Sequence, residues 1–457
     1  MNKKRSAFSG KIGYVLSAAG ASVGLGNIWR FPYLAAKYGG GIFLLVYIIL
    51  ALTFGYTMIV AESALGRMTR KSPVGAFRSF AKGKKVGWLS FGGWINAIIP
   101  VLIVPYYSVI GGWVVKYLFE YIRGNGSKLA EDGYFSGFIS NGGATELCFV
   151  IFCMVTLVII YAGVQNGIER VSKIMMPILI VLSVIIAIYS VTRPGAIEGV
   201  KYFLVPNVKN FSWMTVVAAM GQMFYSLSIA MGILVTFGSY MRKDTSIEDS
   251  TRNVEIFDTA IAMMAGLMII PAVFAFSGGD PDTLQAGPSL MFITIPKVFA
   301  NMGFGTAVGI LFFVLVLFAA VTSSIALTES AVSTFEDELG WGRKKATVLT
   351  GVIMIALGTL SCLGYGPLDF VKIIGMQFLD FFDFLTNSVM MPIAALMTSL
   401  LVSRVIGVDK IEEEIRHGES TFRRKKIFVV MIKYLCPIFA LIILASSVAN
   451  AFGWIAM

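Results

Sequence analysis

Eleven long apolar runs, separated by short polar segments, form the pattern of this chain. The runs lie at about 12–37, 41–66, 90–120, 147–163, 173–191, 212–240, 255–277, 305–335, 346–364, 370–403 and 428–454. A helix of about 20 apolar residues is long enough to cross a bilayer. The pattern therefore predicts an all-α polytopic membrane protein with 11 transmembrane helices, formed as one unit over residues 1–457 and without a soluble domain.

The first apolar run contains residues that a lipid-facing helix does not need. Between Gly20 and Tyr33 it carries three glycines, a proline, Asn27 and Arg30. In hydrocarbon every backbone N–H and C=O needs a partner, so an interrupted helix persists only where its freed groups line a cavity or bind a ligand. A small-residue packing face would explain the glycines but not Asn27 and Arg30. We therefore interpret this segment as a binding site built on a broken helix.

A second interruption falls in the sixth run, where Gly221–Gly232 contains Ser226 and Ser228. Small and hydroxyl residues also mediate ordinary helix packing in membranes, so it is the position of this segment that favours a site. The layout places helices 1–5 at about 11–191, helices 6–10 at about 212–403 and helix 11 at about 428–454. Broken helices at the start of two corresponding halves point to the binding site of a transporter.

Thr322, Ser323 and Ser324 form a third polar cluster, in the eighth run. Their hydroxyls and a nearby carbonyl would make a small cage of uncharged oxygen atoms, which suits a hard cation such as Na⁺. Alternatively, the hydroxyls bond to carbonyls one turn earlier and only bend the helix. The residues alone leave both interpretations open.

Composition and charge agree with a membrane protein and predict its orientation. The chain is 57% hydrophobic and only 14% charged, whereas a soluble domain has about 25% charged residues. Most of the 37 Lys and Arg residues lie in the segments that would be cytoplasmic if the N-terminus is inside, as the positive-inside rule requires. An odd number of helices then places the C-terminus outside. The net charge of +11 thus indicates topology in the cell (plasma) membrane and not nucleic-acid binding.

Several chemistries have no support in the sequence. Cys148, Cys153, Cys362 and Cys436 lie in apolar runs without metal-ligand spacing, and His417 is the single histidine. We therefore interpret the cysteines as packing residues. Neither a phosphate-binding P-loop nor a HExxH motif occurs, so ATP-driven transport and zinc-dependent hydrolysis are not predicted.

A channel and an intramembrane enzyme are the alternatives from other functional classes. A channel would need a continuous polar pore, whereas the polar residues here collect at one level in the middle of the membrane. An enzyme would need a nucleophile with a base or two facing acids, and Asp258 and Asp383 are expected at different levels. We therefore predict that the chain is not an enzyme.

The chain resembles the neurotransmitter:sodium symporter family, particularly its bacterial amino-acid transporters, over nearly its whole length. The most specific matches are Gly24–Pro32, Tyr38–Gly41, Gly221–Gln222, Thr322–Ser324 and Glu336–Glu338. The resemblance implies a 5+5 inverted repeat with broken helices 1 and 6. It also implies uptake of a small solute coupled to Na⁺ by alternating access in a lipid membrane. It is compatible with an oligomer as well as with a monomer.

Two sodium sites follow from the resemblance. The first would consist of the carbonyl of Ser22 and the side chains of Asn27, Ser226 and Asp258. The second would consist of the carbonyls of Gly20, Val23 and Ala319 with the hydroxyls of Thr322 and Ser323. Na⁺ is the only cofactor implied, and a substrate carboxylate would complete the first site.

The resemblance also implies where an amino acid binds. The substrate-binding residues would be Ala21, Ser22, Leu25, Gly26, Ile103, Tyr107, Tyr225, Ser226, Ser228, Met231, Ser323 and Leu327. Free N–H groups at a half-helix N-terminus attract a carboxylate. The residues that would surround the substrate's side chain are largely apolar. We predict neutral hydrophobic or aromatic L-amino acids as substrates, with another small amino acid or an amine as the alternative.

Asp258 departs from the family pattern, in which Asn is frequent at this position. A fixed carboxylate would supply the negative charge that chloride supplies in animal relatives, so transport is predicted to be chloride-independent. A charge that extends to the membrane surface is the alternative, although an intramembrane acid is costly and usually functional.

Further charged residues match the gates of the family. Arg30 and Asp383 match an outer pair, and Arg5 and Asp337, with Tyr240, match a cytoplasmic latch. Glu62 matches a residue that accepts hydrogen bonds from the unwound backbone of helix 6.

Overall fold

The computed structural model describes residues 6–81, 87–278 and 287–454, and within these ranges the chain is helical and forms no strand. The helices that the argument uses are α1 (Lys11–Ser22), α2 (26–37), α3 (Gly41–Thr69), α4 (Pro73–Ala81), α5 (Gly87–Ile122), α6 (Gly142–Tyr161), α7 (Val164–Val191), α8 (Ala196–Leu204), α9 (Trp213–Ser226), α10 (Ile233–Tyr240), α11 (Ile247–Ser277), α12 (Leu290–Ala300), α13 (Gly305–Leu339), α14 (Arg343–Leu363), α15 (Phe378–Ile406), α16 (Val408–Arg416) and α17 (Lys425–Ala451).

Nine of the described helices are long and apolar enough to cross a membrane. They are α3, α5, α6, α7, α11, α13, α14, α15 and α17. The pairs α1–α2 and α9–α10 correspond to the first and sixth apolar runs, each divided by an interruption. The all-helical polytopic fold with two broken helices is confirmed, and the count of 11 membrane crossings stays a prediction.

Some helix bounds differ from those expected from hydrophobicity. Helix α11 begins at Ile247, eight residues before the apolar run, because the Ser246 hydroxyl accepts a hydrogen bond from the Asp249 N–H and caps the helix. Helix α7 begins at Val164, with a π-helical first turn that contains Gly167. Hydrophobicity did not predict these first turns, because they contain polar residues and polar helix ends have compositions similar to those of loops.

The first interruption separates α1 from α2. Val23 has extended backbone angles (φ −76°, ψ 94°), while its N–H still donates to the carbonyl of Ala19. The chain resumes a helical course at Gly26, and the Asn27 N–H bonds to the carbonyl of Gly24 at 3.1 Å. Helix α1 packs among α7, α11 and α13, so the interruption lies inside the helical assembly.

The second interruption separates α9 from α10. Ser228, Ala230 and Gly232 have φ values of 53°, 60° and 69°, a left-handed conformation that costs a non-glycine residue about 1–2 kcal/mol. Gly232 is required here, because a Cβ would lie 2.6 Å from the carbonyl oxygen of Asn96. Such strain persists only where the surroundings enforce it and is frequent at functional sites.

The two mouths of the assembly differ. We call the side that carries Lys71, Arg242 and the connection from α15 to α17 the basic side, which is the predicted cytoplasmic side. There the Phe8 ring packs against Tyr14, Phe237 and Tyr240, and the Phe8 N–H bonds to the Tyr240 carbonyl. The opposite side opens into a vestibule.

Candidate functional site

A small cavity lies between the two interruptions. Its lining residues are Ala21, Ser22, Gly24, Leu25, Gly26, Asn27, Ile103, Tyr107, Tyr225, Ser228, Met231, Ser323 and Leu327. All the predicted substrate-binding residues except Ser226 are in this set. The Ser226 hydroxyl instead donates to a carboxylate oxygen of Asp258 at 2.8 Å, so it belongs to the polar cluster beside the cavity.

The start of α2 forms the polar end of the cavity. The Leu25 N–H donates to the hydroxyl oxygen of Tyr107 at 3.3 Å. Gly26 allows the Tyr225 ring to pack directly on the backbone, because a Cβ would lie 2.3 Å from that ring. A helix N-terminus with accessible N–H groups is suited to binding an anion such as a carboxylate.

Asn27, Tyr47, Ser226 and Asp258 form what we call the acidic cluster. The Asn27 side-chain amide donates to Asp258 Oδ1 at 2.8 Å and to Ser226 Oγ at 3.0 Å. The Tyr47 hydroxyl donates to Asp258 Oδ2 at 2.9 Å. None of the four residues is more than 1% exposed, so Asp258 does not extend to the membrane surface.

The chemistry of the acidic cluster fits a cation. No ion pair among the described residues includes Asp258, and its hydrogen-bond donors are neutral. A buried carboxylate without an opposite charge is costly, and Na⁺ favours oxygen ligands of this kind. Ser22 lines the adjacent cavity, and its hydroxyl bonds to the Ala18 carbonyl at 3.1 Å.

Gly20, Ala21, Val23 and Ser323 form a second group, the carbonyl cluster. The Ser323 hydroxyl lies 3.3 Å from the carbonyl oxygens of Gly20 and Val23 and 3.1 Å from that of Ala21. The Ser228 hydroxyl also donates to the Ala21 carbonyl, at 3.0 Å. A hydroxyl has one hydrogen, so Ser323 does not satisfy the Gly20 and Val23 carbonyls at the same time. This surplus of converging carbonyls also fits a cation.

Thr322 lies next to the carbonyl cluster, and its hydroxyl donates within α13, to the carbonyls of Phe318 at 2.9 Å and Ala319 at 3.2 Å. The bond to Phe318 is the hydrogen bond to the preceding turn that is expected if the hydroxyl only bends the helix. The bond to Ala319 joins two members of the predicted second sodium site, and the Thr322 side chain faces Gly20 across the interruption.

Arg30 and Asp383 both line the vestibule but do not form the expected pair. Among the described residues no ion pair within 4 Å joins them; the Asp383 carboxylate accepts from Tyr106 at 3.2 Å and from Asn387 at 2.6 Å. The Arg30 guanidinium lies 5.4 Å from the centre of the Tyr225 ring. Tyr225 lines both the vestibule and the cavity and therefore separates them.

The basic-side latch has a partner that sequence reasoning missed. The Tyr240 hydroxyl donates to Glu329 at 2.7 Å, and Arg343 binds both carboxylate oxygens of Glu329 at 3.0 and 2.5 Å. Asp337 accepts the Ser72 N–H at 2.6 Å, and Arg5 lies outside the described residues. Glu329 could have been found, because an acid inside an apolar run is costly and needs a reason.

Glu62 of α3 contacts the second interruption. Its Oε1 atom accepts the N–H of Ala230 at 2.8 Å, and the side chain is completely buried. The structure thus places Glu62 at the strained residue between α9 and α10. An unwound segment leaves backbone N–H groups without helical partners, and this carboxylate supplies one.

These observations define a class of protein. A polytopic helical assembly with two broken helices that face a central cavity has the architecture of a secondary transporter. The model of the Sodium:neurotransmitter symporter family matches residues 5–127 and 134–453, so the chain belongs to this family. The resemblance predicted from the sequence is confirmed, and the chain is a transporter and not an enzyme.

Named relatives agree with this assignment. An uncharacterized sodium-dependent transporter of Bacillus subtilis, YhdH, is 36% identical over 90% of this chain and 91% of its own length. One from Haemophilus influenzae is 32% identical over 98% and 99%. The human sodium- and chloride-dependent GABA transporter 2 is 26% identical over 90% and 75%.

A solved structure is also similar to this chain. The crystal structure of MhsT in complex with L-phenylalanine matches with a TM-score of 0.86 and 36% identity, over 97% of this chain and all of that chain. The family and its relatives make Na⁺ the coupling ion of this membrane protein.

Proposed function

We propose that this protein imports neutral hydrophobic or aromatic L-amino acids together with Na⁺, uses two sodium sites and does not need chloride. The acidic cluster is the observation that carries the proposal. Asp258 supplies a fixed negative charge beside the cavity, where every described hydrogen-bond donor to it is neutral. A sodium ion there would balance this charge, and chloride would have no charge left to balance.

The chemistry of the cavity lining supports an amino acid as substrate. The carboxylate would meet the N-terminus of α2 beside Leu25, Gly26 and Tyr107, while the amino group would meet carbonyl oxygens of the interruptions. Ile103, Met231 and Leu327 line the rest of the cavity. Apolar walls favour apolar side chains, and a Met thioether adapts to several shapes. The match to MhsT in complex with L-phenylalanine supports the same class.

The unequal mouths support alternating access. The vestibule is wide and its charged residues Arg30 and Asp383 are apart, whereas Phe8 and Tyr240 are packed together on the basic side. This arrangement suits a state whose vestibule is open while Tyr225 still separates it from the cavity. In the proposed orientation the vestibule faces the exterior of the cell, the N-terminus is cytoplasmic and the C-terminus is outside.

A thermal-shift screen of the twenty amino acids, with NaCl, KCl and sodium gluconate as separate conditions, tests the proposal. We expect stabilisation by hydrophobic and aromatic L-amino acids in both sodium salts and not in KCl. Stabilisation only by small polar amino acids or amines would exclude the proposed substrate class. Stabilisation in NaCl but not in sodium gluconate would exclude chloride independence.

A further inference from the structure

The segment 407–424, which we call the connection, joins α15 to α17 and contains α16. It lies on the basic side, against the ends of α3 and α11. Helix α3 carries Tyr47 of the acidic cluster near its opposite end, and α11 carries Asp258 in its N-terminal half. Contacts of the connection therefore act on the helices that hold this cluster.

The first anchor of the connection is a buried arginine. Arg67 of α3 has no exposed surface, and its Nε donates to the carboxylate of Glu414 in α16 at 2.7 Å. The guanidinium also donates to the backbone carbonyls of Glu414 and Thr245, and Lys243 pairs with Glu414 at 2.8 Å. Loss of one partner of a buried ion pair leaves an uncompensated charge, so the connection supplies the charge that keeps Arg67 in place.

The second anchor is at the N-terminus of α11. Glu248 accepts the backbone N–H groups of Arg423 and Arg424, both at 2.9 Å, and the hydroxyl of Tyr56 in α3 at 2.8 Å. In return, the Glu419 carboxylate accepts the Glu248 N–H at 2.7 Å. A carboxylate at a helix N-terminus satisfies free N–H groups and interacts favourably with the helix dipole.

The anchored face of α11 is the face that carries Asp258. Glu248, Glu255 and Asp258 are separated by seven and three residues, a spacing that places side chains on one side of a helix. All three are at most 5% exposed. Arg424 extends the second anchor along this face by pairing with Glu255 at 3.3 Å. One turn of helix therefore separates the last anchored residue from the acidic cluster.

At Gly418 the connection lies directly against the two residues that precede α11, without space for a side chain. A Cβ on Gly418 would lie 2.6 Å from the carbonyl oxygen of Thr245 and 3.0 Å from the backbone N of Ser246. These neighbours are backbone atoms, which cannot rotate away as a flexible side chain can. The close approach joins the two anchors into one continuous contact.

We propose that the connection is a clamp that holds the basic-side ends of α3 and α11 together and thereby stabilises the conformation in which the acidic cluster is assembled. Opening of the basic side would separate or tilt these ends and must work against the clamp. Weakening the clamp shifts the population toward states in which the cluster is disassembled and Na⁺ binds less tightly.

Two variants of the full-length protein weaken the clamp in different ways. Glu414→Gln removes the charge that faces Arg67 and Lys243, and Gly418→Ala inserts a methyl group while every charge is kept. Glu412→Gln is the control for the first, since the described ion pairs of Glu412 are with Arg416 and Lys425, neither of which belongs to α3 or α11. Gly137→Ala is the control for the second, since no described atom lies within 4 Å of its added Cβ.

Hydrogen–deuterium exchange of the detergent-solubilised variants is the first readout. We expect faster exchange of backbone amides in 233–240 and 247–258 in both clamp variants and wild-type exchange in both controls. The second readout is the sodium concentration for half-maximal stabilisation, which we expect to rise about fivefold or more, as for coupled sites in general. Only this second readout rests on the proposed sodium site.

The two readouts separate failure of the clamp from failure of the proposed function. Wild-type exchange in Gly418→Ala and Glu414→Gln would overturn the clamp, regardless of the sodium concentration for half-maximal stabilisation. Equal changes in the clamp variants and their controls would overturn it as well. If Glu414→Gln does not fold, Gly418→Ala decides alone, because it keeps the Arg67–Glu414 ion pair and its charges and acts only through the close contact with the Thr245 backbone. Absence of a sodium effect in the wild type would count against the proposed function only.

Discussion

The acidic cluster and the carbonyl cluster both include residues at the first interruption, and they differ in how they would hold a cation. The acidic cluster has a full carboxylate, and hydrogen bonds from Asn27, Tyr47 and Ser226 satisfy it. The carbonyl cluster has only dipoles, and the hydroxyls of Ser323 and Ser228 are shared among three carbonyl oxygens. The first therefore needs a cation to balance charge, whereas the second needs one to satisfy surplus acceptors.

This difference connects the clusters to different parts of transport. The acidic cluster borders the cavity through Asn27, so a substrate carboxylate can complete its coordination. The carbonyl cluster joins α1 to α13 and carries no charge, although Ala21 and Ser323 also line the cavity. We therefore expect the two sites to respond differently to changes in charge, in hydroxyl groups and in the substrate.

Asp258→Asn should have the largest effect, because it removes the only charge of the acidic cluster. We expect the apparent Na⁺ affinity to fall about a hundredfold, the scale of losing one member of a buried charge pair. Sodium-dependent substrate binding by scintillation proximity measures this effect, with chloride and gluconate compared. Binding that returns when chloride is present would fit the proposed charge balance.

The control for this variant is Asp244→Asn, a carboxyl group that is exposed on the basic side. It should bind Na⁺ and substrate as the wild type does. Unchanged Na⁺ affinity in Asp258→Asn, or a strong chloride requirement in the wild type, would contradict the assignment of the acidic cluster.

The double change Thr322→Ala and Ser323→Ala should weaken Na⁺ binding by about thirtyfold, since two oxygen ligands are each worth about 1 kcal/mol. No response to chloride is expected, because no charge is lost. Ser324→Ala is the matched control, as its hydroxyl faces Thr156 at 3.1 Å and not the carbonyl cluster. Wild-type Na⁺ dependence in the double variant would leave one sodium site in the protein.

Amino-acid amides should bind at least about tenfold more weakly than the parent acids, because they lack the charge that the N-terminus of α2 and the first sodium ion would bind. Competition against a radiolabelled amino acid in saturating Na⁺ measures this difference. The penalty should become smaller in Asp258→Asn, which keeps the N-terminus of α2, and persist in full in the Thr322→Ala and Ser323→Ala variant. Equal affinity of amide and acid in the wild type would mean that the substrate carboxylate does not interact with a sodium ion at the acidic cluster.

The interruptions could be predicted from the sequence, because glycine, proline and polar residues gathered within an apolar run are costly in a continuous lipid-facing helix. The cavity lining followed from the family resemblance, with Ser226 as the exception. Tyr47 could not be predicted, since a tyrosine in an apolar run suits the core or the membrane interface equally well. Only the packing of α3 against α11 brings its hydroxyl to Asp258.

The pairing of gates depends on conformation in addition to sequence. Arg30 and Asp383 have suitable charges, yet in this structure each has a neutral neighbour, Tyr225 or Tyr106. A surface ion pair is worth at most about 1 kcal/mol, so the width of the vestibule decides whether it forms. Glu329 and Arg343 pair on the closed basic side, where helices α13 and α14 meet.

Tyr47→Phe should have the smallest effect and distinguishes the clusters most finely. The change removes the hydroxyl that donates to Asp258 Oδ2 and keeps the ring that packs beside Phe31 and Phe43. One hydrogen bond to a carboxylate is worth about 1 kcal/mol or more, so the apparent Na⁺ affinity should change by about fivefold. A double-mutant cycle with Asp258→Asn should show coupling, because the hydroxyl acts through that carboxylate, whereas a cycle with Ser323→Ala should be additive. Tyr117→Phe is the control, because the Tyr117 hydroxyl bonds to the Phe292 carbonyl, and it should leave Na⁺ affinity unchanged. Equal coupling of Tyr47 to both clusters in the two cycles would mean that the two sites are not energetically separate.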